Sequence, residues 1–392
     1  MRASIRRGLN VHLISIAALV GQASLSHAQW SDNPEFAAHA GKGIDYVYNL
    51  YLDSARTEFQ HIVQIEPDHP AGHFFLAMVE WWNILLDIDD ESRDENYFST
   101  LDKVIDVCDK RLEKDEDDLT GLFFKGGALG FQGRLHANRG DWVKAANDGR
   151  QALPIVQKVY KIAPNNYDVL LGIGIYNYYA AVVPEQYPFV KPFMIFFPSG
   201  DKEKGIHQLR DAAEHSAYAN IEASYFLLQL YFNYEKQYHD ALPIASKLYA
   251  RYPNNVVFHK YVGRCYASLG RWNEMRQTFT EIIERVKTTK LGYTAGVERE
   301  AVYYLGLDDL NAGNYEAALQ HLYRCDELSR NLDRDGPSGF MVMANLKIGM
   351  AYDRQEKRQY AIEQYNKVLK MNDYQNAHKQ AEQFMKTPYG KF

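Results

Sequence analysis

Cysteine is scarce in this chain: Cys108, Cys265 and Cys325 stand alone among 392 residues, and no two form a C-x-x-C pair. No thiol chemistry follows from that spacing, and three buried thiols on inner helix faces are the preferred reading over one disulfide with a spare thiol. Basic charge is short as well, with 44 Lys and Arg against 50 Asp and Glu. A nucleic-acid partner is therefore disfavoured, because phosphate binding needs a basic face that releases counterions. No convincing run of alternating apolar and polar residues marks a strand, so a β-sheet body is excluded.

A membrane-spanning run is also missing. The apolar stretch "LNVHLISIAALVG" is about half of what a span needs. With Arg2, Arg6 and Arg7 before it and "SHA" before Gln29, residues 1–28 read as a cleaved secretory peptide, an uncleaved amphipathic anchor being the alternative. No cysteine stands at the cleavage point to take a lipid. The expected location is exported, periplasmic or in the cell envelope. Without residues 1–28 the balance is 41 basic against 50 acidic side chains, a charge of −9. The remaining length exceeds one compact core and calls for two domains or an elongated array.

What is present is a repeat. Gly43, Tyr46, Ala55, Phe59 and Pro67 are three, nine, four and eight residues apart. Glycine lets two helices approach, the aromatic rings fill the seam, alanine permits a close crossing, and proline stops the second helix. The register returns at Gly263, Tyr266 and Phe279, at Gly306 and Ala318, and at Gly349, Tyr352, Ala361 and Tyr365. "KIAPNN" and "RYPNN" mark further stops and tight turns. Between residues 70 and 220 the repeat is degenerate, yet apolar residues keep helical spacing.

These spacings resemble the tetratricopeptide repeat (TPR) family, W-x2-L-G-x2-Y, then A-x3-F, then P, over 34 residues. "YVGRCYASLGRWNEMRQTFTEIIERV" matches it with Met275 in the alanine's place, the first tryptophan is missing throughout, and two late units are 43 residues apart. A second segment, "FFPSGDKEKGIHQLRDAAEH" followed by "ASYFLLQLYF", is similar to the G-D-[RK]-x-x-G-[IL] stretch of the tetratricopeptide repeat protein thirty-nine family, which includes fungal inclusion-body clearance proteins. That resemblance implies helical repeats, partner binding and links to lipid handling. Its members are intracellular, so neither location nor partners carry over. The expected fold is all-α: a right-handed TPR-like superhelix of about eight antiparallel helix pairs, with a closing helix near residues 374–386. Residues 29–220 hold the degenerate repeats and residues 221–392 the regular ones.

Candidate chemistry is thin. The acidic run Asp87, Asp89, Asp90, Glu91, Asp94 and Glu95 would place Ser92 and Phe98 where a calcium loop needs glycine and glutamate. His61, His69 and His73 with Asp68 lack an H-E-x-x-H arrangement, and Pro70 separates two of them. "KGGALGFQG" has no preceding strand and no G-K-[ST] ending, so Gly126, Gly130 and Gly133 read as a close helix contact. Trp81 and Trp82 point about 100° apart on a helix and should not both be core. No catalytic residue, metal ligand or cofactor is assigned. The rival to a binding scaffold is a secreted (α/α)-toroid hydrolase acting on carbohydrate, which would need two carboxylates in one cleft.

In stacked helix pairs the first helix lines the concave side, at three residues before, one after, and four or five after the seam glycine. Gly174 then presents Leu171, Ile175, Tyr178 and Tyr179. Gln229, in the glycine's place, presents Phe226, Leu230, Asn233 and Tyr234. Lys260 and Arg264 follow on one face, then Tyr303, Leu307 and Asn311. The expected groove for a protein or peptide partner is Tyr178, Tyr179, Phe226, Tyr234, Lys260, Arg264, Tyr303 and Asn311, with Lys260 and Arg264 gripping one acidic group. An aromatic, proline-rich insertion near residues 183–200 carries Phe189, Phe193, Phe196 and Phe197. Its prolines exclude a continuing helix, and its loop at 186–198 either plugs the groove or offers an apolar ridge to a partner or a membrane surface.

Overall fold

The computed structural model describes residues 30–391 apart from 187, 195–196, 289 and 335, with backbone alone at 193–194; residues 1–28, expected to be a secretory peptide, lie outside the described residues. Helices follow one another in pairs. They are α1 (Pro34–Tyr48) with α2 (Leu52–Ile65), α3 (Ala71–Leu86) with α4 (Asp94–Leu112), and α5 (Leu119–Asn138) with α6 (Trp142–Ile162). Next comes α7 (Tyr167–Gln186), the single turn α8 (Lys191–Met194), and α9 (Lys202–His215), which pairs with α7. The regular part follows as α10 (Asn220–Gln229) with α11 (Tyr238–Arg251), α12 (Val256–Ser268) with α13 (Trp272–Lys287), α14 (Ala295–Asn311) with α15 (Tyr315–Leu332), and α16 (Gly339–Arg354) with α17 (Arg358–Val368). A last helix, α18 (Ala377–Lys386), covers the open end against α16 and α17. Among the described residues, eight pairs and a closing helix make an all-α solenoid. No described helix is long and apolar enough to cross a membrane.

Local chemistry sets the boundaries. The stops at "KIAPNN" and "RYPNN" also start the next helices: Asn166 Oδ1 accepts from Asp168 N at 3.0 Å, and Asn255 Oδ1 accepts from Val257 N at 3.0 Å. Turns inside pairs need a left-handed residue, supplied by Gly270 (φ 68°) and Gly313 (φ 80°). α7 runs two residues past Pro184, losing one ladder hydrogen bond near its end.

The seam glycines do what their spacing predicts. An added Cβ would come within 2.7 Å of Phe59 Cδ1 at Gly43, 2.8 Å of the Phe279 ring at Gly263, 2.8 Å of Leu322 Cγ at Gly306 and 2.8 Å of Tyr365 Cδ1 at Gly349. Each facing side chain is fully or almost fully buried. In the α10–α11 pair both partners change together: Gln229 replaces the glycine, and Ala245, sixteen residues on, replaces the large side chain. In the degenerate region Gly200 and Gly205 bring the start of α9 onto the backbone of α7, where a Cβ would lie 2.7 Å from Ala181 N and 2.6 Å from Tyr178 N respectively.

The pairs do not bury surface only against their neighbours, because the first turn of the solenoid closes on itself. Tyr252 Oη donates to Asp45 Oδ1 (2.8 Å), Asn254 Nδ2 to Tyr51 Oη (2.8 Å) and Asn255 Nδ2 to the Tyr48 carbonyl (2.9 Å), spanning some two hundred residues of chain. Closure also overturns the reading of the tryptophan pair, since Trp81 and Trp82 are both buried. Trp81 faces Tyr97 and Phe131 of the adjoining helices, whereas Trp82 crosses the axis to Tyr225 and Phe258. The principal core consequently draws on residues from Trp30 to Leu305, a second one spans Val302 to Phe384, and a small third joins Leu170, Ile173, Ala212 and Ala223.

Candidate partner-binding groove

The closed half of the concave face is a packed floor. Arg134 of α5 lies between the rings of Trp81 and Phe226, 4.5 Å from each centroid, and its Nη1 is 3.2 Å from Glu222 Oε1 on α10. Glu222 Oε2 accepts from Tyr48 Oη at 2.9 Å. Burial, then the Glu222 charge, pushes the Tyr48 phenol well up. Phe226 therefore belongs to the floor and is itself buried.

Beyond the floor, neighbouring first helices meet through tyrosines. Tyr178 is fully buried and donates to Glu235 Oε1 (2.6 Å), whose other oxygen takes Lys202 Nζ (2.7 Å). Tyr179 is half-buried, with its ring 5.5 Å from that of Tyr234. α10 ends in a π-turn at Leu230–Tyr234, an insertion that re-aims side chains and favours functional positions. It leaves Asn233 exposed, with Nδ2 reaching Tyr261 Oη at 3.3 Å. Tyr178, Tyr179 and Tyr234 are thus brought together, and Asn233 carries the surface on to α12.

Lys260 and Arg264 do share one face, and they already hold an acid of this chain. Arg264 Nη2 donates to Glu300 Oε2 at 2.6 Å, its Nε bonds the other oxygen, and Lys260 Nζ lies 3.4 Å from Oε2. Burial pushes the Glu300 carboxyl up, but Arg264 and Lys260 outweigh it and bring it down to about 2. Burial also lowers the Lys260 amine. Arg264 lies 5.4 Å from the Tyr261 ring centroid. Tyr303 packs against Tyr304 and Phe340, whereas Asn311 stands exposed at the end of α14. The inner wall thus offers aromatic surface, an exposed side-chain amide at Asn233 whose Nδ2 rests on Tyr261 Oη, and cations neutralised in place.

The insertion sits elsewhere. Phe189 is 55% exposed and edge-on to Trp142 of α6 at 5.3 Å, and Phe197 is half-buried beside Gly149 of the same helix. Phe196 lies outside the described residues, as does the side chain of Phe193. The described part of the insertion lies along α6 and α7, and two short turns form in it, a 3-10 turn at Pro188–Val190 and α8, where Pro192 falls in the first turn and a missing N–H costs nothing.

Other candidates resolve into structure. Arg139 grips Asp94 through two bonds (2.6 and 2.8 Å) and the Ile88 carbonyl, latching the acidic run to the end of α5. His69 is buried between the Trp30 carbonyl and the Ala71 N–H. Gly126 meets Ile155 and Val156, and Gly133 meets Asp148, but nothing lies within 4 Å of a Cβ at Gly130, so only two of the three glycines serve the helix contact. Burial raises the carboxyls of Asp148 and Asp168, which share no partner: Asp148 pairs with His136, and Asp168 accepts the Tyr218 and Ala219 N–H groups.

Arg134, Glu222, Glu235 and Glu300 were not singled out from the sequence. Glu300 could have been, since it lies six residues before Gly306, one turn earlier on the face read for Tyr303. Arg134 and Glu222 act through closure across the axis, which no local spacing announces.

No family model matches the chain, and no curated protein matches it. Among solved structures, the TPR domain of P58(IPK) is similar over 90% of this chain and 98% of that one, at 15% identity and a TM-score of 0.26. Human IFIT1, as a dimer with m7Gppp-AAAA, is similar over 90% and 85% at 11% identity and a TM-score of 0.39. The TPR-like helical architecture rests on the helix pairs among the described residues and on the glycine seams at Gly43, Gly263, Gly306 and Gly349.

Proposed function

We propose that this chain is an exported, non-enzymatic scaffold whose inner wall at Tyr179, Asn233 and Tyr234 binds an extended segment of a protein partner. The observation that carries the reading is the run of tyrosines ending in a π-turn that leaves the Asn233 side chain exposed. Tyrosine gives large rigid contact area at low entropic cost, and an amide can pair with a peptide backbone. The inner arginines argue for a protein rather than a polyanion: Arg134 is bound to Glu222 and Arg264 to Glu300, leaving little charge to replace counterions. The carbohydrate hydrolase reading gains no support from Asp148 and Asp168, each held by its own partners.

The test is selection of peptides from a displayed library on the purified chain, followed by titration calorimetry. Tyr234→Ala or Asn233→Ala should weaken a selected peptide by about 1–2 kcal/mol, roughly five- to thirty-fold, while Tyr360→Ala, at an exposed position of α17, should not. Equal affinity for all three variants would remove the groove from consideration.

A further inference from the structure

The first helix pair carries a cluster that the groove does not use. His39 projects from α1, and Glu58 and His61 project from α2, three residues apart and so on one face. One ligand atom from each lies within 4.8 Å of the other two. His39 Nδ1 is 2.5 Å from Glu58 Oε2, and the two imidazole rings are 4.9 Å apart at 66°. Glu35, one turn before His39, has Oε1 3.9 Å from His39 Nε2. His61 is exposed and makes no hydrogen bond among the described residues, so its ring is free to turn.

We propose that His39, Glu58 and His61 form a binding site for a divalent transition metal of the zinc class, stapling α1 to α2. Two imidazoles and one carboxylate are the donors that zinc and its neighbours prefer, whereas calcium and magnesium want oxygen throughout. Zinc bonds of about 2.0–2.1 Å at tetrahedral angles set ligand atoms roughly 3.3 Å apart. The existing cluster brackets that spacing: the short His39–Glu58 contact opens slightly, and His61 swings inward. Lys42 Nζ lies 3.8 Å from Glu58 Oε1, and its side chain is 65% exposed and free to withdraw. Three protein ligands leave a fourth position for water or for Glu35.

The test uses the untagged full chain, stripped with a chelator and titrated with zinc chloride by calorimetry, with cobalt(II) absorption reporting tetrahedral nitrogen and oxygen ligation. One equivalent should bind in the micromolar range. His61→Ala and His39→Ala should each weaken it at least about tenfold, and His207→Ala should leave it unchanged. Zinc should also raise the melting temperature of the unaltered chain and not of His61→Ala. Because His61 is exposed, His61→Ala should melt like the unaltered chain without metal, so this variant decides the matter if His39→Ala folds poorly. Absence of zinc binding, or binding unchanged in His61→Ala, would overturn the proposal.

Discussion

Replacing Gly349 with alanine puts the seam to a quantitative test. The new methyl group would lie 2.8 Å from Tyr365 Cδ1, 3.0 Å from Cζ and closer still to Cε1, where ordinary carbon contacts begin near 3.4 Å. Tyr365 cannot retreat cheaply. Its ring is fully buried, and its hydroxyl donates to Asp353 Oδ2 at 2.8 Å, an oxygen that also accepts the Tyr389 N–H. Overpacking of this kind costs about 3 kcal/mol at the upper end, and alanine returns about 1 kcal/mol over glycine in helix propensity. The expected net loss is about 2 kcal/mol. Urea unfolding followed by circular dichroism measures it, with Gly130→Ala as the control. At Gly130 nothing lies within 4 Å of the added methyl, so only propensity acts and a gain of about 1 kcal/mol is expected. If Gly349→Ala were as stable as the unaltered chain, the account of helix pairs held at glycine seams would be wrong.

Three further outcomes follow from buried groups. Burial lowers the His259 ring from 6.5 to about 4, so the folded state resists a proton that the unfolded chain accepts; stability should fall by about 3 kcal/mol as pH drops from 6.5 to about 4, and urea midpoints should show the loss flattened in His259→Gln. Glu300→Gln leaves Lys260 and Arg264 facing each other without their carboxylate and should cost about 3–5 kcal/mol by the same unfolding assay, a loss below 1 kcal/mol counting against the buried triad. Cys108, Cys265 and Cys325 are free and buried, with each thiol pushed up to about 12 chiefly by burial; a thiol reagent at pH 8 should label none in the folded chain and all three in denaturant.

The legible part of the sequence was the part governed by local spacing. Gly43, Gly263, Gly306 and Gly349 could be placed at seams because a glycine and a large side chain sixteen residues later are both required by one helix pair. The same register put Tyr179 and Tyr234, and Lys260 and Arg264, on one wall, since first helices of successive pairs lie side by side. Closure was illegible because it depends on the accumulated rotation of five pairs. Small differences in each crossing decide whether Asp45 meets Tyr252 or passes it. That rotation explains why Trp82 and Phe226 turned out to be floor, and why Arg134 found Glu222. The fate of Lys260 and Arg264 was a matter of one further turn of reading, to Glu300.

The central claim, that the tyrosine wall of the concave face receives a polypeptide partner, is tested most directly by site-specific photo-crosslinking in cells that produce the protein. A benzophenone amino acid at position 233, beside Tyr234 and Tyr261, should yield a discrete crosslinked polypeptide. The same probe at position 360, exposed on α17, should yield none. The same products at both positions, or products at position 360 alone, would contradict the account.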